Sequence, residues 1–342
     1  MTPEETYASF RRHGGGLAAA RAAFPSAPLP WLDLSTSVNP HPWQGGRASV
    51  RDLHRLPDPA ATAALEDAAA RAFGVARSCV AAVPGSDMGL RLLPALTGAR
   101  DVAVASPTYS GHGEAWTTAG RRVTLIDRRE IPSHAAEAIV LVNPNNPDGA
   151  RLSRADVLAT ADKARARGAW LIVDEAFAEV APDASVVDAV HDRLIVLRSF
   201  GKFYGLPGVR LGFVVAAPEV TQRVRAMTGD WPVSADAVAA GCAAYADVAW
   251  REKTRARLQA GATKLDRFLI ASGLDVVGGT ALFRLVSTPR AADYFQHLGC
   301  RGILVRPFDH NPSWLRFGLP PDSQWRRVKE TLAECAALGE RQ

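Results

Sequence analysis

Seven short apolar runs constrain this chain more than any other feature. Val80–Val83, Val102–Ala105, Val123–Ile126, Ile139–Val142, Trp170–Val173, Leu194–Leu197 and Leu211–Val215 are rich in Val, Ile and Leu and show no alternation with polar residues. A strand with one wet face alternates. A strand that is apolar throughout must be covered on both faces, as in a mostly parallel sheet between layers of helix. Helix-like stretches lie between several of the runs. In Ser153–Arg167, for example, Ser153 can cap and apolar positions recur at helical spacing. The expected fold is therefore α/β, with a large domain over residues 46–240. Beyond it the pattern changes: a long charged helix at about Ala246–Ser272, strand-like pieces at Ala281–Val286, Ile303–Arg306 and Trp314–Gly318, and a last helix. Residues 241–342 thus read as a small α+β domain, and residues 1–45, rich in Pro and Gly, as an arm that packs elsewhere. A chain of 342 residues, 47% hydrophobic, can bury both cores.

Composition removes several function classes. The net charge is +5, but 40 basic residues are nearly balanced by 35 acidic ones and are spread along the whole chain. The longest basic clusters are pairs such as Arg11–Arg12 and Arg121–Arg122, which argues against nucleic acid as a partner. Cys79, Cys242, Cys300 and Cys335 are far apart and form no C-x-x-C pair, so free thiols are expected, with neither a disulfide nor a metal site. The first residues lack an apolar signal core, and no apolar stretch approaches the roughly 20 residues that span a bilayer. The expectation is a soluble cytoplasmic protein with no membrane partner.

Chemistry points first to a lysine. Of the five lysines, Lys163, Lys253, Lys264 and Lys329 sit in charged helical stretches, whereas Lys202 follows an apolar strand within Ser199-Phe200-Gly201-Lys202-Phe203-Tyr204-Gly205. A lysine shielded from water gives up its proton more readily and becomes nucleophilic toward an aldehyde. Asp174 ends the run Trp170–Val173, at the carboxyl edge where open α/β sheets bind ligands, and an acid there can pair with a protonated pyridine nitrogen. Asn143-Pro144-Asn145-Asn146-Pro147-Asp148-Gly149 closes another buried run with a rigid turn whose amides can donate to a phenolate oxygen. Arg210, eight residues after Lys202, can grip a phosphate with its forked guanidinium.

Taken in this order and spacing, the motifs NPNNPDG, DEAF, SFGK and the following arginine resemble the class I/II aminotransferase superfamily over nearly the whole chain. The resemblance implies the fold type I architecture and the cofactor pyridoxal 5'-phosphate. By position it implies that Lys202 bonds covalently to the cofactor and moves protons. Asp174 would hold the pyridine nitrogen, Asn146 the ring hydroxyl, and Ser199 and Arg210 the phosphate. Gly85, Ser86 and Asp87, at the start of a predicted helix, would add backbone donors to that phosphate, and Tyr109 would stack on the ring. Two positions depart from the common pattern: Phe177 stands three residues after Asp174, and Leu56 precedes Pro57-Asp58, where many members carry tyrosines.

Both ends show a closer likeness, to the L-threonine-O-3-phosphate decarboxylases of cobalamin biosynthesis. It rests on His13-Gly14-Gly15-Gly16, on Trp31 through Pro40, on Leu197 through Gly212, and on Val305-Arg306-Pro307 with Trp314 through Pro320. The resemblance implies a small phosphorylated amino acid as substrate, held by Arg306 and Arg316 with His13, Ser35 and Asn39, and a homodimer. Two anionic anchors would fix which bond at Cα stands perpendicular to the cofactor ring. The alternatives are a histidinol-phosphate-type aminotransferase, which normally carries both missing tyrosines, and a non-catalytic cofactor-binding regulator, for which no helix-turn-helix extension is visible.

Overall fold

All seven apolar runs are strands. β1 is Val80–Val83, β2 Asp101–Ser106, β3 Arg122–Asp127, β4 Ala138–Val142, β5 Trp170–Asp174, β6 Leu194–Ser199 and β7 Gly212–Val215. They form one sheet in the order β1-β7-β6-β5-β4-β2-β3, in a computed structural model that describes residues 6–8, 10–131 and 133–339. Neighbouring strands are parallel except β7, which runs antiparallel to both β1 and β6. The reversal follows from the link between β6 and β7. That stretch carries only a single turn of tight helix, Pro207–Val209, and no crossover helix that could return the chain to a parallel start.

Six helices accompany the sheet: α1 (Pro59–Phe73), α2 (Ser86–Thr97), α3 (Ser110–Thr118), α4 (Arg154–Ala166), α5 (Pro218–Thr228) and α6 (Ala235–Ala246). Leu90, Leu93 and Leu96 of α2, Trp116 of α3, and Val220 and Val224 of α5 close over one sheet face, made of Val83, Val104, Val140, Ile172, Ile195 and Val214. Residues pointing the other way, such as Ile139, Leu171, Val173, Val196 and Phe213, are just as buried. The expectation of two covered faces therefore holds for the central strands. It fails for β3, which lies at the sheet edge and leaves Leu125 65% exposed. Ser153 caps α4 by accepting from the Asp156 N–H.

These strands and helices belong to a compact unit of residues 42–146 and 150–252. A second unit comprises residues up to His41, the tripeptide Pro147–Gly149, and the chain from Lys253 onward. Its antiparallel sheet runs in the order Arg306–Pro307, Trp314–Gly318, Phe283–Ser287, Asp275–Thr280. Separately, Leu32–Asp33 pairs in parallel with Ile303–Leu304. The expected strand Ile303–Arg306 is thus two strands, because the chain changes pairing partner after Leu304. The strand Asp275–Thr280 is not among those expected, and it contains the Gly278-Gly279 pair. The glycines serve a close approach: a Cβ on Gly149 would lie 2.1 Å from the Gly279 carbonyl oxygen. Gly279 itself has φ of +146° and donates to the Asp148 carbonyl (2.8 Å). The long charged helix is Val248–Ala271. Among the described residues no helix is long and apolar enough to cross a membrane.

Candidate active site

Asp174, the last residue of β5, is buried with both carboxylate oxygens engaged. Oδ1 accepts from the Ala176 N–H (2.9 Å), and Oδ2 lies 2.9 Å from Nε2 of His112, a side chain with no exposure. His112 was not among the expected site residues. It stands alone among small residues on α3, and one histidine in such a stretch gives no pattern to read. The next residue, Glu175, also turns inward. Its carboxylate accepts from Arg198 Nη1 (2.7 Å), Ser185 Oγ (2.6 Å) and the Val186 N–H (2.7 Å), while Arg198 Nη2 reaches Glu179 (2.6 Å). Burial pushes the Glu175 carboxyl up, against the pull of Arg198. This ion pair ties the ends of β5 and β6 together, and those ends carry Asp174 on one side and Ser199 and Lys202 on the other.

Lys202 differs from the other four lysines in its surroundings as well as its motif. Lys163, Lys253, Lys264 and Lys329 are exposed, while Lys202 is half-buried with Nζ 6.0 Å from the centre of the buried Phe177 ring. The phenylalanine at this position therefore gives the amine an apolar neighbour without a hydroxyl.

Ser199, Gly85, Ser86 and Arg210 converge through backbone contacts. Ser199 is paired in register with Gly212, and a Cβ on Gly212 would fall 2.3 Å from the Ser86 amide nitrogen. Gly85, at φ of +89°, caps α2, and a Cβ there would lie 2.5 Å from Arg210 Nη2. Arg210 has left-handed backbone (φ 55°, ψ 58°), which an L-residue adopts at a cost, and its Nη1 donates to the Pro207 carbonyl (3.1 Å). The free amides at the start of α2, beside an exposed guanidinium, make a site for an anion with several oxygens.

The asparagine turn splits into structural and accessible members. Asn143 is bonded to both backbone groups of Leu152 (3.2 and 2.9 Å). Asn145 accepts from Thr108 Oγ1 (2.8 Å) and donates to the Pro107 carbonyl (2.9 Å), fastening the turn to the segment that precedes Tyr109. Asn146 is half-buried. The Tyr109 hydroxyl donates to Asp87 Oδ1 (3.2 Å); burial, and next the Asp87 charge, push this phenol up to about 12. A Cβ on Gly111 would lie 2.4 Å from the Tyr109 ring, so glycine is what leaves room for it.

The second unit holds the other expected group. Arg306 and Arg316 are directly opposed Cα partners on adjacent antiparallel strands. Both guanidiniums lie over the Phe308 ring, at 5.3 and 5.8 Å, and Arg316 also lies over Phe283 at 5.2 Å. Arg316 is buried and donates to the Ser35 carbonyl (2.8 Å), while Arg306 donates to the carbonyls of Phe10 (3.2 Å) and Arg12. Burial, and then the like charge of Arg306, pull the Arg316 pKa down to about 9. The Ser35 hydroxyl donates to Asp33 (2.6 Å) and accepts from the Gly15 N–H (2.7 Å). His13 is exposed in the same glycine loop. Asn39 is buried and its side chain accepts from the His41 N–H (2.9 Å), a local turn. Like charges set opposite each other on a sheet cost stability, and the Asp33 carboxylate offsets part of that cost at Arg316.

Comparison with known proteins places this architecture. The model of the family "Aminotransferase class I and II" matches residues 36–332. The chain belongs to that family. It is 39% identical to a threonine-phosphate decarboxylase of Sinorhizobium sp., covering 94% of this chain and 97% of the relative. The corresponding protein of Pseudomonas aeruginosa is 36% identical, covering 94% and 96%. Histidinol-phosphate aminotransferase 1 of Bradyrhizobium diazoefficiens is 33% identical, covering 89% and 92%. Among solved structures, histidinol-phosphate aminotransferase of Sinorhizobium meliloti, crystallised with pyridoxal-5'-phosphate, shares the fold with a TM-score of 0.82 at 22% identity, covering 95% of each chain.

The residues present fit the family's cofactor, pyridoxal phosphate, in three respects. A buried carboxylate already held by two donors is ready for a cationic ring nitrogen. A cradle of backbone amides that a Cβ at Gly85 would fill, with Arg210 alongside, is ready for a phosphate. A half-buried amine against Phe177 is ready for an aldehyde.

Proposed function

We propose that this protein decarboxylates L-threonine-O-3-phosphate to (R)-1-amino-2-propanol O-2-phosphate and CO2, supplying the aminopropanol arm of cobalamin. The observation that carries the reading is the near full-length likeness to two threonine-phosphate decarboxylases. The opposed arginines supply its chemistry. A phosphorylated amino acid brings a carboxylate and a phosphate, and Arg306 and Arg316 offer two adjacent cationic forks.

In this reading Lys202, Asp174, Asn146, Tyr109, Ser199, Arg210 and the Gly85-Ser86-Asp87 turn hold the cofactor. When bound, pyridoxal phosphate supplies an electron sink for the pair left at Cα when a bond there breaks. Arg316 takes the carboxylate, and Arg306, with His13, Ser35 and Asn39, takes the phosphate. Fixing both ends fixes rotation about the amino group, so that the bond to the carboxylate, rather than the bond to hydrogen, is held in the reactive direction. The Cα–carboxylate bond then breaks, CO2 departs, and a proton from Lys202 Nζ or from water replaces it at Cα. The His112 bond keeps Asp174 oriented throughout.

A second reading, a histidinol-phosphate-type aminotransferase, draws on the 33% identity to such an enzyme. Purified protein incubated with threonine phosphate and pyridoxal phosphate decides between them. Release of CO2 without 2-oxoglutarate supports decarboxylation; stoichiometric consumption of the keto acid supports transamination. We further take the protein to act in the cytoplasm as a homodimer, since Val50, Leu53 and Leu56 are 71, 59 and 65% exposed and a second copy would cover such a patch. Sedimentation at micromolar concentration tests that state, and a monomer would reject it.

A further inference from the structure

We infer that Asp33 is a positioning residue for the anion site: through the Ser35 hydroxyl it fixes the Gly15 end of the loop that carries His13, beside the arginine pair. The inference rests on the proposed function only in taking Arg306 and Arg316 as the substrate's anchors.

Asp33 ends the short strand Leu32–Asp33 and lies opposite Leu304, two residues before Arg306. The Leu34 N–H donates to the Leu304 carbonyl (2.8 Å), and the Leu34 carbonyl accepts from the Gly318 N–H (2.6 Å). These bonds tie the chain next to Asp33 to the stretches that carry both arginines. Asp33 Oδ1 accepts twice from Ser35, from its N–H (2.8 Å) and from its hydroxyl (2.6 Å).

The direction of each bond is forced. A backbone N–H only donates, so Ser35 Oγ receives the Gly15 N–H (2.7 Å) on a lone pair. A carboxylate only accepts, so the single Ser35 hydroxyl proton goes to Asp33. At 2.6 Å this is a charge-assisted bond, about twice as strong as a neutral one. An incoming phosphate or carboxylate needs donors and finds that proton already committed. Ser35 therefore serves the anion site as a link.

Other groups hang on the same link. The Ser35 carbonyl accepts from Arg316 Nη2 (2.8 Å), and a Cβ on Gly14 would lie 2.4 Å from that carbonyl oxygen, so the glycine loop sits directly against it. His13 is held on both sides: the Arg12 carbonyl accepts from Arg306, and the Gly15 N–H is bound by Ser35. Asp33 also sets a negative charge near Arg316. That charge by itself opposes an anion, whereas the link favours one. Removing Asp33 therefore has opposite effects on affinity according to which role dominates.

The test uses the full-length protein loaded with pyridoxal phosphate. Asp33→Ala should raise the KM for threonine phosphate about ten- to a hundredfold, the equivalent of one lost bond to a charged group. Asp33→Asn keeps an oxygen that accepts both bonds and loses only the charge, so its KM should stay within about threefold of the wild type or fall below it. Asp33→Ala combined with Ser35→Ala should be no worse than Ser35→Ala alone, because both cut one link. Without substrate, trypsin should cut after Arg12 at least about tenfold faster in both alanine variants and at the wild-type rate in Asp33→Asn. A lowered KM in Asp33→Ala would mean that the released Ser35 proton serves the anion, and would overturn the inference. So would an Asp33→Asn as impaired as Asp33→Ala, or unchanged cleavage in the folded alanine variants. If the wild type does not turn over threonine phosphate, the proposed function fails, and the cleavage comparison decides the role of Asp33 by itself. If Asp33→Ala does not fold, Ser35→Ala, which breaks the link at its centre, decides in its place.

Discussion

His112 Nε2 lies 2.9 Å from Asp174 Oδ2, and this contact makes the acid at the end of β5 a held group rather than a swinging one. Removing one hydrogen bond to a charged group costs about 1.5–3 kcal/mol. His112→Ala should therefore lower kcat/KM roughly ten- to a hundredfold, while Asp174→Asn, which removes the charge itself, should lose roughly a hundred- to a thousandfold or more in kcat. Steady-state CO2 release measures both. Equal losses would mean that the histidine does more than orient the acid.

The cradle beside Arg210 makes a different demand. In Gly85→Ala a methyl group would arrive 2.5 Å from Arg210 Nη2 on a backbone at φ of +89°. The guanidinium end can swing aside, but the strain of a side chain on this positive-φ, extended backbone (φ 89°, ψ 149°), about 1–3 kcal/mol, stays. The expected outcome is a folded protein, by circular dichroism, that loses pyridoxal phosphate on dialysis under conditions where the wild type keeps it. Full retention would show that the α2 amides do not hold the phosphate.

How far the sequence reveals this arrangement depends on how local each feature is. Lys202, Asp174 and Arg210 are legible because each sits at or next to the end of an apolar run, where the sheet must expose its carboxyl edge. The central strands are legible for the same reason, and Leu125 is not, because edge position depends on strand order rather than on the run itself. His112 is silent: its meaning comes from a helix that packs against β2, β3 and α2 and reaches Asp174 with this side chain, and nothing in Ser110–Thr118 announces that contact. The opposed pair Arg306 and Arg316 is legible as two arginines in motifs. That they face each other over one phenylalanine depends on hairpin register, set by residues 308–313 between the strands.

The turn after β4 separates two asparagines that look alike in sequence. Asn145 spends its amide on Thr108 and Pro107, so Asn145→Ala leaves buried partners unmatched and should cost about 1–3 kcal/mol of stability. Asn146→Ala should shift the absorption band of the bound cofactor by more than Asn145→Ala does. Differential scanning calorimetry and absorption spectra on the same preparations separate the roles. A large melting shift for Asn146→Ala alone would exchange the assignments.

Arg316 ties function to stability most directly. Its pKa is pulled down by burial and by Arg306, so the folded chain holds this charge less comfortably than water does, at every pH at which the guanidinium stays protonated. The sign follows: the folded-state pKa is lowered, the protonated form is penalised by folding, and an anion that pairs with the guanidinium offsets that penalty. Threonine phosphate should therefore raise the melting temperature of the wild type, and a hundredfold excess over Kd corresponds to about 2.7 kcal/mol. Arg316→Met removes the charge and keeps much of the volume between Phe283 and Phe308. The variant should fold, lose the ligand-induced shift, and show a KM raised by roughly a hundredfold. Arg316→Lys should recover only part of the affinity, because an ammonium cannot grip a carboxylate with two parallel bonds. If the methionine variant kept both the thermal shift and the KM, the buried guanidinium would be a structural cation with no part in holding substrate.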